Sequence, residues 1–341
     1  MRTETRLAFN TYLARVEQLN PGVDIRSKFN VDPSVQQTLE VKTQESSAFL
    51  SMINIIGVPE LKGEKVGLGV NSTIAGRTDT AGGNRRNPRS PQGTSPTGYE
   101  LKQTNFDTFI SYALLDAWAK FPEFQTLLQG AFMERAALDR IMIGWNGTSA
   151  AAATDRAANP LLQDVNIGWL QDMRTNNAAR VMSEGVEGSN KIRIGQGGDY
   201  KTLDALVMDA KHSLLPSWQR NRTDMVAICG SNLLHDKYFR LVNQDEKPTE
   251  QVARDIILST RRLGGEQAGV VPYFPEASVF LTPLKNLSIY YQDEKRRRLI
   301  KDEPEYDRVA DYSSSNEGFV IEDYEQAILL ENIELIDIDE G

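Results

Sequence analysis

The segment GRTDTAGGNRRNPRSPQGTSPTGY, residues 76–99, lies between two strongly patterned parts of a 341-residue chain. It contains no Val, Ile, Leu, Met or Phe, and it carries four arginines and three prolines against a single aspartate. Such a segment cannot help to build a hydrophobic core, because it has almost no apolar surface to bury. We therefore expect it to project from the folded body, and the residues on either side of it indicate how.

The flanks of this segment both have the pattern of strands. Before it, INIIGVPELKGEKVGLGV, residues 53–70, alternates short apolar runs with Gly and Pro. After it, YELKQTNFDTFISY, residues 99–112, places Phe106, Thr108, Ile110 and Tyr112 on one face of a period-two pattern. Two such arms around a polar tip predict a long hairpin, with arms of about 15 to 18 residues that reach on the order of 50–60 Å when fully extended.

The charged residues of this hairpin are the first candidate functional residues. An isolated hairpin is marginally stable in water, whereas one laid across a second subunit finds carboxylates and sheet edges there. The chain has a formal net charge of −9, so acidic patches on a neighbouring copy are the expected partners. The residues predicted to make this contact between subunits are Arg77, Asp79, Arg85, Arg86 and Arg89.

The bulk composition excludes several classes of function. An acidic chain does not wrap nucleic acid with a basic surface, although it can enclose DNA without gripping it. The single cysteine, Cys229, excludes an intramolecular disulfide and a thiolate zinc cluster, and two histidines are too few for most His-rich metal sites. The N-terminus has no signal peptide, and no apolar run reaches the roughly 20 residues of a membrane span. The sequence therefore predicts a soluble protein of a reducing cytoplasm with no cofactor, metal or membrane partner.

Helical periodicity is clearest in three places. Thr3 to Leu19 is predicted as a helix, and the polar stretch that follows it predicts a flexible tether, which suits a removable or transient segment. A second helical pattern covers residues 34–52. The strongest begins at Pro122 and follows an i, i+3, i+4 apolar stripe to Trp145.

The rest of the chain mixes helices and strands. Helices are predicted at 201–215 and at 249–265, where Gly264 and Gly265 are expected to end the second one. Successive strands are predicted from residue 277 to the C-terminus. The chain is therefore predicted to be an α+β protein without an internal repeat, long enough for one large core or two smaller ones.

No catalytic constellation stands out. Cys229 and His235 could serve as nucleophile and base, but a buried cysteine and a solvated histidine explain the pattern better. The basic run KRRR, residues 295–298, could contact phosphates, yet acidic residues flank it on both sides, which favours ion pairing between proteins. The residues predicted to form ion pairs between subunits are Asp293, Glu294, Arg296, Arg297 and Arg298. The chain is not predicted to be an enzyme.

Eight segments, in order, give the chain a resemblance to a known family. They are TRLAFNTYLARVEQLN (5–20), PSVQQTLEVKTQESSAFLSMINIIGVPELKGEKVGLGV (33–70), RTDTAGG (77–83), LDRIMIGWNG (138–147), NPLLQDVNIGWLQ (159–171), GGDYKTLDALVMDA (197–210), VPYFP (271–275) and NLSIYYQDEKRRRLI (286–300). Together they resemble the major capsid protein of P2-type tailed bacteriophages over almost the entire chain. None of the segments carries a chemical mechanism of its own.

The resemblance implies the HK97-like capsid fold, an α+β fold with an N-arm, an extended E-loop hairpin, a P-domain with a long spine helix, and an A-domain. The implied boundaries are 1–29 for an N-terminal scaffold-like helix, 30–60 for the N-arm, 61–105 for the E-loop, 106–214 for the P-domain with its spine helix at about 122–145, 215–285 for the A-domain, and 286–341 for strands that return to the P-domain. It also implies a maturation protease that cuts near Phe29 and Asn30, within SKFNVDPS (27–34).

The family further implies partners and a location. Copies would form the pentamers and hexamers of an icosahedral shell, first a procapsid and then the mature head, around double-stranded DNA that is contacted non-specifically. A scaffold, the protease and a portal protein would be further partners, with assembly in the host cytoplasm and the virion as the final location. Two other classes stay open: a protein compartment of the same fold that encloses cargo, and an oligomeric cytoplasmic enzyme that uses residues 76–99 as an active-site lid.

Overall fold

The computed structural model describes residues 1–22, 24–65, 75–81, 85–88, 98–118, 124–235 and 257–336. The helices are α1 (Thr3–Leu19), α2 (Pro33–Glu45), α3 (Ala48–Met52), α4 (Tyr112–Trp118), α5 (Phe124–Asn146), α6 (Trp169–Asn176) and α7 (Leu203–Leu214). The strands are β1 (Phe29–Asn30), β2 (Asn54–Val58), β3 (Lys62–Glu64), β4 (Gly98–Glu100), β5 (Lys102–Asn105), β6 (Thr108–Ser111), β7 (Val181–Met182), β8 (Ile192–Ile194), β9 (Met225–Cys229), β10 (Ile257–Leu263), β11 (Glu266–Val270), β12 (Val279–Pro283), β13 (Leu287–Gln292), β14 (Arg297–Glu303), β15 (Arg308–Ile321), β16 (Ile328–Leu330) and β17 (Ile333–Leu335).

The first of two main sheets is built around the long strand β15. One edge of β15 pairs antiparallel with β14 and then with β13, and its other edge pairs with β6 and then with β5. The short strands β1 and β2 complete this sheet beyond β14 and β13. A strand of 14 residues can hold four partners in this way because each covers only part of its length.

The second main sheet has the order β10-β11-β9-β12-β16-β7. Its central strands β9 and β12 are buried along their whole length, as expected for strands covered on both faces. Helix α7 packs on it, and its buried Leu206, Val207 and Ala210 share a core with residues of β9, β12 and β16. The unit around this sheet therefore includes β7, α7 and β16, which lie outside the range 215–285 that the resemblance implies for the A-domain.

A larger core joins the two sheets at the C-terminal end of α5. Trp145 of α5 and Trp169 of α6 lie with ring centroids 4.8 Å apart, and Phe49 of α3 packs against both. The Trp169 indole nitrogen donates a hydrogen bond to the carbonyl oxygen of Ser288, 3.1 Å away. Gly144 permits this close approach, because a Cβ at this position would lie 2.3 Å from the Trp169 ring.

Three of the predicted helices are confirmed, among them the one at 201–215, which is α7, and a fourth is divided. The predicted helix Thr3–Leu19 is α1, and the predicted spine helix is α5 from Phe124 to Asn146, while Pro122 lies outside the described residues. The pattern at 34–52 folds as α2 and α3. The break comes at Ser46 and Ser47, because the Ser47 hydroxyl accepts a hydrogen bond from the backbone N–H of Leu50 and so caps a new helix.

The prediction of a helix over 249–265 is wrong for its second half. Residues 257–263 form β10, which pairs antiparallel with β11. Gly264 and Gly265 have φ values of 57° and 86°, so they form the tight turn of a β-hairpin rather than a helix terminus. Residues 249–256 lie outside the described part of the chain.

The prediction of a long hairpin around residues 76–99 is right at its base and wrong in its second arm. β3 and β4 pair antiparallel, with Lys62 opposite Glu100. The later part of the predicted arm does not continue this pairing, because β5 and β6 join β15 in the first main sheet instead. In the tip, residues 75–81 and 85–88 are described, and all of them are exposed.

Candidate functional sites

The first candidate site is the N-terminal segment, defined here as residues 1–32, which packs on the edge of the first main sheet. The strand β1 pairs with β14, with Phe29 opposite Arg298. Val16, Ile25, Phe29 and Val31 are buried in one cluster with residues of α4, β14 and β15. Burial of an aliphatic or aromatic side chain is worth about 1.5–3 kcal/mol. The prediction of a flexible tether is therefore wrong for this structure. The polar stretch after α1 contains Ile25, Phe29 and Val31, whose side chains are buried against the rest of the subunit.

Polar contacts reinforce this docking at two places. Arg6 of α1 forms an ion pair with Asp302 of β14, and the Tyr112 hydroxyl donates a hydrogen bond to the same carboxylate. Burial raises the pKa of Asp302, but the hydrogen bonds from Arg6 and Tyr112 outweigh it and hold the pKa below its ordinary value. At the second place, Arg298 donates to the Tyr12 hydroxyl at 2.8 Å and pairs with Asp311 at 2.5 Å.

The predicted cleavage position lies within this docked segment. Phe29 is 5% exposed, while Asn30 is exposed and both residues belong to β1. A protease needs the chain on both sides of the bond in extended, unpaired form, so β1 has to leave β14 before the bond can be cut. The cut itself stays a prediction.

The second candidate site is a buried charge network that the sequence reasoning missed. Arg140 of α5 is 2% exposed and binds two carboxylates at once. Its Nη1 donates to Oε2 of Glu40 at 2.7 Å, and its Nε and Nη2 donate to the two oxygens of Glu317 at 3.1 and 2.6 Å. The other oxygen of Glu40 accepts from Nη1 of Arg296 at 2.6 Å. These four side chains tie α2, α5, β15 and the β13–β14 turn to one another.

The electrostatics of this network keep the Glu40 carboxylate ionised. Burial alone would raise the pKa of Glu40, but the charges of Arg140 and Arg296 outweigh it and hold the pKa below its ordinary value. One signal could have located the network: Arg140 stands in helical register with the buried Ala137 and Gly144, three residues before it and four after it. A charge on the apolar face of a helix requires a buried partner.

The predicted contact residues at 77–89 lie on the exposed tip. Arg77, Arg85 and Arg86 are exposed and form no ion pair with any residue that the structure describes. The Asp79 carboxylate accepts a hydrogen bond from the backbone N–H of Ala81 at 2.9 Å, which stabilises a local turn. Arg89 lies outside the described residues. The predicted role of these residues between subunits stays a prediction.

The predicted ion-pair residues at 293–298 divide into two groups. Arg296 and Arg298 pair with Glu40 and Asp311 of their own chain, so the structure corrects the prediction that their charges serve a neighbouring subunit. The reason is that the β13–β14 turn folds back onto α2, which brings Glu40 within reach of Arg296. For Arg297, which is exposed, and for the acidic pair before it, the contact between subunits stays a prediction.

The acidic pair Asp293 and Glu294 occupies a tight turn. The Asp293 carboxylate lies against Gly57, where a Cβ would come within 2.3 Å of its Oδ1. Burial, with the neighbouring charge of Glu294, raises the pKa of Asp293. Glu294 has a φ of 59° and is exposed.

Residues considered for chemistry or metal binding are dispersed. Cys229 is fully buried in β9, where its thiol lies 3.7 Å from the carbonyl oxygen of Gly269, and His235 is exposed. Among the residues with described positions, no three His, Cys, Asp or Glu side chains form a group that could hold a metal ion. In the same part of the chain, no helix is both long and apolar enough to cross a membrane.

Comparisons with known proteins find a matching family, similar sequences and a similar structure. Residues 8–333 match the model of the family described as phage major capsid protein, P2 family. The chain is 48% identical to the capsid proteins of Escherichia phage P2, over 99% of this chain and 96% of that protein, and 42% identical to the major capsid protein of Serratia phage KSP20, over 98% and 97%. Its fold is similar to that of a chain in the procapsid of satellite phage P4, solved with the size determination (Sid) protein, with a TM-score of 0.82, 46% identity and 99% of each chain covered.

Proposed function

Because the chain belongs to the P2 family of phage major capsid proteins, we propose that its copies assemble as pentamers and hexamers into an icosahedral shell, first as a procapsid and then as the mature head. As a major capsid protein of a tailed phage it is a structural protein. The observation that carries the proposal is the similarity, over 99% of both chains, to a subunit of a solved procapsid. The proposed contents of the shell are double-stranded DNA, contacted non-specifically because the chain is acidic.

Electron microscopy tests this proposal directly. The full chain, produced together with the scaffold of its own phage, is expected to give closed shells of uniform diameter. Small discrete oligomers under the same conditions would contradict the proposal, and they would agree instead with an oligomeric enzyme. Shells purified from infected cells are expected to contain DNA and a portal protein at one vertex, after assembly in the host cytoplasm.

The parts of the subunit follow the proposed fold. The N-arm takes 30–60, the E-loop 61–105, the P-domain 106–214 with α5 as its spine, the A-domain 215–285, and the returning strands 286–341. The exposed residues 75–81 and 85–88 support the E-loop, because Arg77, Arg85 and Arg86 lack ion-pair partners among the described residues of their own chain. The two sheets support a division into P- and A-domains, although β7, α7 and β16 extend the unit around the second sheet beyond its proposed limits.

Maturation is proposed to remove residues 1–29 by a cut near Phe29 and Asn30. The support is structural: the N-terminal segment is held by one apolar cluster and a few ion pairs at the sheet edge, so it can be released as a unit. Mass spectrometry of mature shells is expected to show chains that lack about these residues. Full-length chains in mature, DNA-filled shells would contradict the proposed cut.

Release of β1 should limit the rate of this cleavage. Asp302→Asn removes the ion pair with Arg6, which we expect to weaken docking by about 1 kcal/mol and to raise the opened fraction roughly fivefold. Asp224→Asn is the matched control. Asp224 forms an ion pair with Arg222 at a distance of 2.5 Å, and neither residue belongs to the N-terminal segment. Equal cleavage rates in the two variants would show that opening of this contact does not limit the reaction.

A further inference from the structure

The two faces of β14 have different surroundings. Arg298 and Asp302 lie on the face that the N-terminal segment covers, where both bind side chains of that segment. Arg297 and Lys301 alternate with them along the strand, so they lie on the opposite face of the sheet. The basic run at residues 295–298 is therefore divided between charges that the subunit uses internally and charges that face outward from the sheet.

The outward-facing charges border a groove of about 390 Å³ on this face of the sheet. Arg297 and Lys301 line it from β14, and Lys28, which directly precedes β1, lines it from the sheet edge. Ser314 lies opposite Arg297 in the register of β15, and Asn105 lies opposite Ser314 in the register of β5. Both line the groove too and supply hydroxyl and amide donors. Cations and neutral donors around one groove are the composition of a site for an oxyanion.

The subunit itself does not neutralise the positive charge of this groove. Lys28 and Arg297 are exposed, and neither forms an ion pair with any residue whose position is described. Lys301 lies 3.6 Å from the carboxylate of Glu303, but that carboxylate also pairs with Arg308 at 2.7 Å. One negative charge thus serves two cations, and positive charge is left over at the groove.

One carboxylate of the groove opposes the binding of an anion. Asp107 lines the groove and accepts a hydrogen bond from the backbone N–H of Ser313 at 3.2 Å. It lowers the attraction for an anion without cancelling it, because three cationic side chains line the same groove.

We propose that Lys28, Arg297 and Lys301 form a binding site for a phosphate group, with Ser314 and Asn105 as further donors. The planar fork of an arginine and the ammonium groups of lysines are well suited to phosphate oxygens. The backbone of a nucleic acid and the free phosphate ion both carry this group, and two probes distinguish them. The site lies within one subunit, so it does not depend on the proposed assembly into a shell.

Binding of two probes to the unassembled full chain tests the site. The probes are inorganic phosphate, followed by phosphorus NMR, and a short duplex DNA, followed by fluorescence anisotropy at low salt. Arg297→Gln and Lys301→Gln should each weaken binding about tenfold, because each removes a charge-assisted hydrogen bond. The matched control is Arg156→Gln, since Arg156 is also exposed and unpaired among the described residues but lies outside the groove.

Asp107→Asn provides a variant with the opposite expected sign. The substitution removes the charge that repels phosphate, while the side-chain oxygen that accepts from Ser313 is kept. The affinity for phosphate should therefore rise.

The two probes separate the possible sources of the phosphate group. Saturable binding of inorganic phosphate that follows these variants would support the site with the free ion as a ligand. Binding of the duplex alone, with the same response to the variants, would support it with the nucleic-acid backbone as the ligand. No saturable binding of either probe, or binding that Arg297→Gln weakens no more than Arg156→Gln does, would overturn the inference and leave the proposed shell untouched.

Discussion

At the scale of single residues, Arg140 carries a prediction about the stability of the subunit. It holds two buried glutamates from distant parts of the chain, and its own side chain is 2% exposed. Breaking a buried ion pair by removing one partner typically costs about 3–5 kcal/mol, because the remaining charges stay buried and uncompensated. We therefore expect Arg140→Met to lower the free energy of unfolding of the unassembled subunit by that amount, measured by urea denaturation.

Another arginine of the same helix is the control for this prediction. Arg135, which lies about one turn before Arg140 in α5, forms an ion pair with Asp139, but the Arg135 side chain is 53% exposed. An exposed pair contributes about 0–1 kcal/mol, so Arg135→Met should change the free energy of unfolding by no more than that. Similar losses in both variants would mean that the buried network contributes no more than a surface pair.

Lys65, which directly follows β3, provides a prediction about pH. Its ammonium group lies 3.6 Å from the centre of the Tyr324 ring and donates a hydrogen bond to the carbonyl oxygen of Ile321 at 2.8 Å. Burial lowers the pKa of Lys65 from 10.5 to about 8, although the nearby carboxylates of Asp172, Glu322 and Asp323 act in the opposite direction. The folded state therefore binds its proton less tightly than the unfolded state does.

The sign of the pH dependence follows from this difference. Between pH 8 and 10.5 the unfolded chain keeps the proton on Lys65 and the folded chain has lost it, so the contribution of this group to stability rises with pH in that window. NMR of 13C-methylated lysines should show one signal with a midpoint near 8, and Lys65→Arg should remove that signal. A chain whose lysine signals all titrate near 10.5 would contradict the assigned environment.

At the scale of elements, two glycines of α5 allow a test of packing. Substitution by alanine is expected to destabilise the protein at one of them and to stabilise it at the other. Gly144 has the Trp169 ring 2.3 Å from where a Cβ would lie, whereas Gly130 has nothing within 4 Å of that position. Gly144→Ala forces the indole to move, and overpacking of this kind costs about 1–3 kcal/mol. Gly130→Ala should stabilise the helix by up to about 1 kcal/mol, because alanine is the better helix former.

Thermal unfolding of the two glycine variants would measure this difference. We expect the melting temperature to fall for Gly144→Ala and to rise or stay constant for Gly130→Ala. A rise in both variants would show that the Trp145–Trp169 stack adapts without cost. That result would weaken the argument that this end of α5 is a rigid joint between the two sheets.

At the scale of the whole molecule, local patterns could be predicted and distant pairings could not. The bounds of α1 and most of α5 follow from periodicity within each helix. The local sequence at Gly264 is compatible both with the end of a helix and with a turn between two strands. The pairing of β10 with β11 decides in favour of the turn. Arg140 finds its carboxylates 100 and 177 residues away in sequence, and the docking of Phe29 on β14 is equally non-local. Hence the fold class was predictable, whereas the charge network was not.

The last prediction at this scale concerns the predicted tip of the hairpin, of which residues 75–81 and 85–88 are described. Its described residues are exposed and join none of the hydrophobic clusters, so the fold of the subunit does not depend on them. Deleting residues 80–97, with a short Gly/Ser link between the arms of β3 and β4, should leave the circular dichroism spectrum and the melting temperature of the subunit unchanged. The same chain should fail to form stable shells, because each copy then lacks the arginines that reach its neighbour. A deletion variant that assembles into shells of normal size and stability would show that the tip is not needed between subunits.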